Sequence, residues 1–275
     1  MSTDSTTVIV PAESGGVLSK LPLVSELART RGWPYVISWG HRISGLLLIG
    51  YALFHVYTIA GVADPAEYDA EMRMLSNPFF VFLEWALAIP VILHALNGGR
   101  LILYELFGRR DDRAMIGWVS ALSGIYVLFL GYLMIMGNQS VSPVFFWLCV
   151  LIMGLIAVFT VTGKLIPVRH SLFWKIQRIT ASFLFVVIPA HMILSHLNLG
   201  SSHEAALVTA RMQIGLVKVV DSLILLAVVY HAGYALVSLA RDYLKSILLR
   251  TPTIVIIAAV MVLVAYYGLR MTWTI

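Results

Sequence analysis

The sequence predicts an all-α integral membrane protein of about seven transmembrane helices, and three observations carry that expectation. Hydrophobic residues make up 60% of the 275 and charged residues 12%, with a mean hydropathy of +0.89. That leaves too little polar surface to cover a soluble domain. Seven apolar stretches each approach or exceed the roughly 20 residues a helix needs to cross a hydrocarbon core about 30 Å thick. Four of the eight histidines fall well inside those stretches, at matching places in two halves of the chain.

The elements follow in order. Residues 1–32 are polar and mixed and lack the basic start and short apolar core of a cleaved signal, so they read as a retained cytoplasmic tail. The first span covers 36–61; it opens on SWGHRISG and continues as LLLIGYALFHVYTIAG, uncharged but holding His55. The second, 79–106, holds His94; the third is 114–136. The fourth, 144–164, contains Cys149, whose solitude excludes a disulfide framework or a thiolate cluster and marks it as a small apolar residue. The fifth, 176–197, holds His191, the sixth, 214–240, holds His231, and the seventh is 252–271.

Orientation follows from the basic residues. With the N-terminus inside, only Arg73, Arg211, Lys218 and Arg270 of the 19 lysines and arginines fall on the outer side, and the remaining 15 lie inside. This asymmetry predicts an N-in, C-out chain, and the expected location is the cytoplasmic membrane of a prokaryote. The net charge of +5 and pI near 9.4 are explained by cytoplasmic loops that meet anionic lipid or a docked partner, with no nucleic acid required.

The chain also repeats itself. HRISG at 41–45 is echoed by QRITA at 177–181, and Arg42 precedes His55 by the 13 residues that separate Arg178 from His191. His94-Ala95 matches His231-Ala232, and an acid follows each histidine by 11 residues, Glu105 and Asp242. Four spans separate each element from its copy, an even number, so the copies cross in the same direction. We therefore expect two three-helix modules, 33–140 and 169–275, joined by a linking helix within 141–168.

An ionisable group inside a span is costly without a partner and is a functional hypothesis by default. Each histidine alone is equally well explained as a neutral side chain bonded to a neighbouring carbonyl. Paired across a repeat, two imidazoles at matched depth on two helices are what a b-type haem requires. Depth sorts them into an inner pair, His94 and His231, and an outer pair, His55 and His191, about 13 Å apart at 1.5 Å rise per residue. Gly98, Gly99 and Gly233 near the first pair, and Gly45 and Ala181 below the second, would let a macrocycle approach backbone, although close helix packing explains them as well. His196, one turn past His191, is a reserve ligand; His203 and His170 read as surface residues.

Ser38-x-x-His41-Arg42-x-Ser44-Gly45, followed by His94-x-x-x-Gly98-x-Arg100, resembles the cytochrome b (large anchor) subunit of succinate dehydrogenase or fumarate reductase, respiratory complex II. The second half, with His231 followed by Asp242-Tyr243, resembles the companion small anchor, so the chain looks like a fusion of the two. The resemblance implies a haem b held by His94 and His231, and a quinone head group at the inner face contacted by Ser38, Arg42 and Tyr243. His41 would lie near quinone and haem propionates and Asp242 beside the quinone. Arg100, and Arg178 by repeat, would serve propionates or structure. A hydroxyl and a cation at a hydrocarbon edge suit polarisation of a quinone carbonyl. It also implies a flavoprotein and an iron–sulfur subunit as partners, and leaves the dicarboxylate active site outside this chain.

The chain departs from that pattern in its fusion, its extra helix and its second pair, His55 and His191, which suits the two-haem members of the wider family. Gln177 stands where the second module would carry the motif histidine, so one principal quinone site is expected, near Ser38. Two other readings stand beside this one: a cytochrome b anchor of a formate dehydrogenase or hydrogenase, and a secondary transporter, in which Pro90 and Pro189 would mark gates.

Overall fold

A computed structural model describes residues 22–108, 111–136, 141–197 and 203–274. Among these there is no strand, and seven helices are long and apolar enough to cross a membrane. In chain order the helices are α1 (Pro22–Arg31), α2 (Trp33–Ala60), α3 (Pro65–Leu75), α4 (Pro78–Phe107), α5 (Asp112–Met136), α6 (Pro143–Leu165), α7 (Leu172–Leu197), α8 (Ala205–Met212), α9 (Gly215–Tyr243) and α10 (Ile247–Thr274), with a 3₁₀ turn at Gly61–Ala63. The seven expected spans are α2, α4, α5, α6, α7, α9 and α10. The short helices α1, α3 and α8 were not among the expected elements: α1 and α3 are polar in composition, and α8, with eight residues, is too short to read as a span. Most of the first 32 residues lie outside the described part, apart from α1 and Gly32.

Start signals explain several helix boundaries. Three helices begin at a proline preceded by a capping side chain: Asp64 accepts from the Glu67 N–H at 3.2 Å, Asn77 from Phe79 at 3.0 Å, and Ser142 from Phe145 at 3.4 Å. Proline loses nothing at the first position, where its missing N–H has no helical partner, and the cap satisfies one of the remaining donors. Gly32 (φ +82°) separates α1 from α2 and Gly108 (φ +67°) ends α4, both in the left-handed region that favours glycine. The last span starts earlier than its sequence suggested: Pro252 lies inside α10, five residues after Ile247, and cannot donate to the Leu248 carbonyl one turn before it.

The chain forms two compact units, the residues up to Ser44 and those from Gly45 onward, with α2 contributing to both. In the second unit α7 packs against α4, α5, α6 and α9, which makes it the central helix. Its buried face, Phe183, Val187 and Leu194, meets Trp147 and Val150 of α6 and Val217, Val220 and Ala227 of α9. The opposite surfaces are apolar and exposed, as at Phe159 and Ile135, which suits a lipid environment and not water.

Lipid tails are as apolar as leucine, so helix association in a bilayer draws on close packing and interhelical hydrogen bonds. The Trp85 indole donates to the Val127 carbonyl at 3.0 Å, joining α4 to α5. Tyr126 donates to the Pro189 carbonyl at 2.6 Å, joining α5 to α7, and Tyr230 to the Phe173 carbonyl at 2.9 Å, joining α9 to α7.

Beyond the end of α2, a small cap forms from α3 and α8. Val62, Tyr68, Met72, Ala205, Val208 and Met212 make its core. Asp69 of α3 accepts from the Ala205 N–H at 2.8 Å and so caps α8 from another helix.

Candidate functional site

Two pairs of facing imidazoles lie in the second unit. His55 of α2 and His191 of α7 have ring centroids 6.1 Å apart with planes at 84°. His94 of α4 and His231 of α9 are 6.3 Å apart, also at 84°. These are the two pairs expected from the repeat, and each joins a helix to its repeat counterpart.

The separation carries chemical meaning. A metal–imidazole nitrogen bond of about 2 Å, with about 1 Å more from nitrogen to ring centre, places two axial imidazoles about 6 Å apart across one ion. Both pairs meet that spacing. Among the described residues no group of three or more histidine, cysteine or acidic side chains could hold a metal. A two-donor site must therefore receive its other ligands from elsewhere, as a metal held in a macrocycle does.

Surrounding residues orient the rings. The Nδ1 of His231 is buried and has no hydrogen-bond partner among the described residues. Gly45 lies against His94: a Cβ there would sit 3.0 Å from the His94 Cε1, so the glycine leaves room for that imidazole. At the other pair, Tyr51 stacks on His55 at 5.7 Å and 21°, one turn earlier on the same helix. Trp147 of α6 lies 6.3 Å from His191, and the bond from Tyr126 to the Pro189 carbonyl secures α7 two residues before His191.

Some expectations about small residues are corrected. The position where a Gly99 side chain would stand is filled by Phe185, 2.9 Å away, and that of Gly233 by Met261 at 3.2 Å. Ala181 packs with Ile102, Val161 and Leu165. These three residues admit protein neighbours, and Gly45, ten residues before His55 on α2, lies against His94 of the inner pair.

The basic residues also separate. Arg178 forms a two-pronged ion pair with Glu105, at 2.6 and 2.7 Å, and its guanidinium lies 4.7 Å from the Trp174 ring centre. Arg100 is buried, with its guanidinium 5.2 Å from the Tyr104 ring centre. The sequence pattern coupled Glu105 with Asp242 as repeat mates; it did not reveal that Glu105 binds Arg178. His196 is buried beside Glu84 at 3.7 Å, and His170 rests on Trp174 at 4.3 Å.

Of the expected quinone contacts, Ser38, His41 and Arg42 lie on the first part of α2. Ser38 is exposed, Arg42 sits 5.6 Å from the Trp39 ring centre, and Ser44 donates to the His41 carbonyl at 3.0 Å. Asp242 and Tyr243 end α9; both are exposed, and the Asp242 carbonyl accepts from Lys245 at 2.8 Å. An apolar groove of about 330 Å³ is lined by Ile92, Leu96, Tyr126, Phe129, Phe185 and Pro189, among others, and no histidine is among its lining residues.

In the cap, burial raises the Tyr68 phenol above its ordinary value, and the nearby charge of Arg211 opposes that shift. Sequence reading missed Tyr51, Trp147 and Arg211. Only Tyr51 left a signal, its four-residue spacing from His55.

The fold and site thus define a class, a seven-span membrane protein with paired histidines inside its bundle. Residues 22–130 match the model of the family described as succinate dehydrogenase/fumarate reductase transmembrane subunit. Succinate dehydrogenase 2 membrane subunit SdhC of Mycobacterium tuberculosis (strain ATCC 25618 / H37Rv) is 33% identical over 104 residues, 36% of this chain and 74% of that protein. No solved structure matches the chain. The chain belongs to the succinate dehydrogenase/fumarate reductase transmembrane subunit family. The family match contains Ser38, His41, Arg42, His55, His94 and Arg100, whereas His191, His231, Asp242 and Tyr243 lie beyond it.

Proposed function

We propose that this chain is the cytochrome b membrane anchor of a succinate:quinone oxidoreductase, a fusion of large and small anchors that conveys electrons from an iron–sulfur subunit to membrane quinone. The single observation that carries this reading is the pair of matched histidine geometries, 6.1 and 6.3 Å, in a member of this family. A flavoprotein subunit supplies the dicarboxylate chemistry and docks, through the iron–sulfur subunit, on the basic cytoplasmic face. The chain sits in a prokaryotic cytoplasmic membrane with its N-terminus inside and its C-terminus outside.

His94 and His231 hold one haem b, and His55 and His191 hold a second. When bound, haem supplies one-electron redox chemistry, while the protein sets position and potential. Gly45 leaves room for the His94 ring. Arg100 serves a propionate, and Arg178, held by Glu105, braces α7 against α4.

Quinone is the substrate. Ser38 and Arg42 are donors to a quinone carbonyl with His41 as a further contact, and in the second module Tyr243 is a donor and Asp242 a contact. Donors fixed at a hydrocarbon edge stabilise developing negative charge more than water would, because they need no reorganisation.

The test is purification of the tagged full chain from its own membranes. We expect a flavoprotein and an iron–sulfur protein to accompany it, succinate-dependent quinone reduction, and b-type bands on reduction. Co-purification with a formate- or hydrogen-oxidising enzyme, or a chain without b-type bands, would overturn the reading.

A further inference from the structure

Arg211 is the one cation of the α3/α8 cap that the proposed function leaves without work and that is turned inward. It lies on α8 with Ala205, Val208 and Met212, all buried, and a spacing of three from Val208 places it beside that inward face. Its own exposure is intermediate, whereas Arg73 on α3 is exposed. Val208 of its helix shares a core with Val62 of the turn that follows α2, and His55 lies within the last two turns of α2.

No hydrogen bond or ion pair joins its guanidinium to another described residue. A guanidinium presents five N–H donors in a planar fork that suits a carboxylate or phosphate, and a half-buried one with no partner is costly. Arg178 of α7 is by contrast engaged by Glu105 through both prongs.

We propose that Arg211 is an anion anchor for the outer histidine pair, binding a carboxylate of the tetrapyrrole seated between His55 and His191. This rests on the reading of that pair as a haem site. It makes the α3/α8 cap part of the cofactor site: the cap closes the end of the pocket and supplies the charge that complements a propionate. The same fork would accept a lipid phosphate, so the test must separate the two anions.

The test uses the full chain, purified with its accompanying subunits, in four forms: wild type, Arg211→Gln, Arg211→Lys and Arg73→Gln as a control for the cap's charge. Haem per polypeptide, the midpoint potentials of the two haems and phospholipid phosphate per polypeptide are measured. In Arg211→Gln one haem potential becomes more negative, because a cation favouring the reduced form is gone, and that haem is lost faster to apomyoglobin. The other haem is unchanged, Arg211→Lys restores much of the shift, and Arg73→Gln matches wild type. Potentials and retention unaffected by Arg211→Gln would overturn the proposal, as would bound phosphate that falls while both haems stay unaltered. A His55→Ala variant is read in parallel. If it removes one haem while Arg211→Gln does nothing, Arg211 alone was misassigned; if it removes none, the outer haem site and the Arg211 proposal fail together.

Discussion

His94 and His231 face each other at 6.3 Å with their rings nearly perpendicular, and they sit on helices that are copies of one another in the sequence repeat. The pair made by the preceding helix of each copy, His55 and His191, has almost the same separation and the same interplanar angle. Two pairs built alike from two repeats argue for a shared purpose. Ordinary buried histidines would each satisfy a separate local acceptor, with no reason to converge on one spacing.

The glycine against His94 sets a first prediction. A methyl group at position 45 would lie 3.0 Å from the imidazole edge, so the ring must give by a few tenths of an ångström. Gly45→Ala should therefore perturb the inner site, lowering the retention of one haem severalfold and altering its low-temperature spectrum, with the second haem unchanged. Optical and EPR spectra of the purified variant provide the measurement, and alteration of both haems would contradict the assignment of Gly45 to one site.

A second prediction concerns packing without function. Gly99→Ala brings a methyl group to 2.9 Å from Phe185, and over-packing of this kind costs about 1–3 kcal/mol. Thermal unfolding in detergent should begin at lower temperature, while the Gly99→Ala, Phe185→Leu double variant recovers part of the loss. Haem content below the unfolding temperature should stay at the wild-type value.

The Glu105–Arg178 pair sets a third. Its geometry is two-pronged but both side chains are partly exposed, 33% and 22%, so solvent screens it and a coupling of about 1 kcal/mol is expected. A double-mutant cycle with Glu105→Gln and Arg178→Gln measures that coupling directly. If Arg178 instead served mainly as a propionate ligand, Glu105→Gln would leave stability unchanged and Arg178→Gln would shift a haem potential.

The proposed quinone contacts set a fourth. Ser38→Ala and Tyr243→Phe each remove one hydroxyl donor, and succinate-dependent quinone reduction should fall about tenfold or more, toward the loss seen when a donor to developing charge is deleted. Haem spectra and dye-linked succinate oxidation should be unaffected. Loss of dye-linked activity as well would point to a failure of subunit docking instead.

Much of this architecture was legible because a bilayer leaves a strong imprint. All seven spans and both histidine pairs follow from apolar length and an internal repeat, and those signals depend on residue type alone. The cap was not legible. Its helices α3 and α8 are short and amphipathic at most, and Asp69 caps α8 across 136 positions of sequence. The partners of Arg178 and His196 were hidden for the same reason: Glu105 and Glu84 lie on another helix, at separations that spacing rules cannot reach. Gly99 and Gly233 show the converse limit, since a glycine on a helix face reports close approach without saying whether protein or cofactor makes it.

The central claim is that two histidine pairs hold two haems, and haem per polypeptide tests it most directly. Measured by pyridine haemochrome on the purified full chain, the account predicts two in wild type, one in His55→Ala with the inner haem's spectrum remaining, and one in His94→Ala with the outer haem's spectrum remaining. A wild-type value of one that falls only with His94→Ala would contradict the outer site, and a chain that binds no haem would contradict the account as a whole.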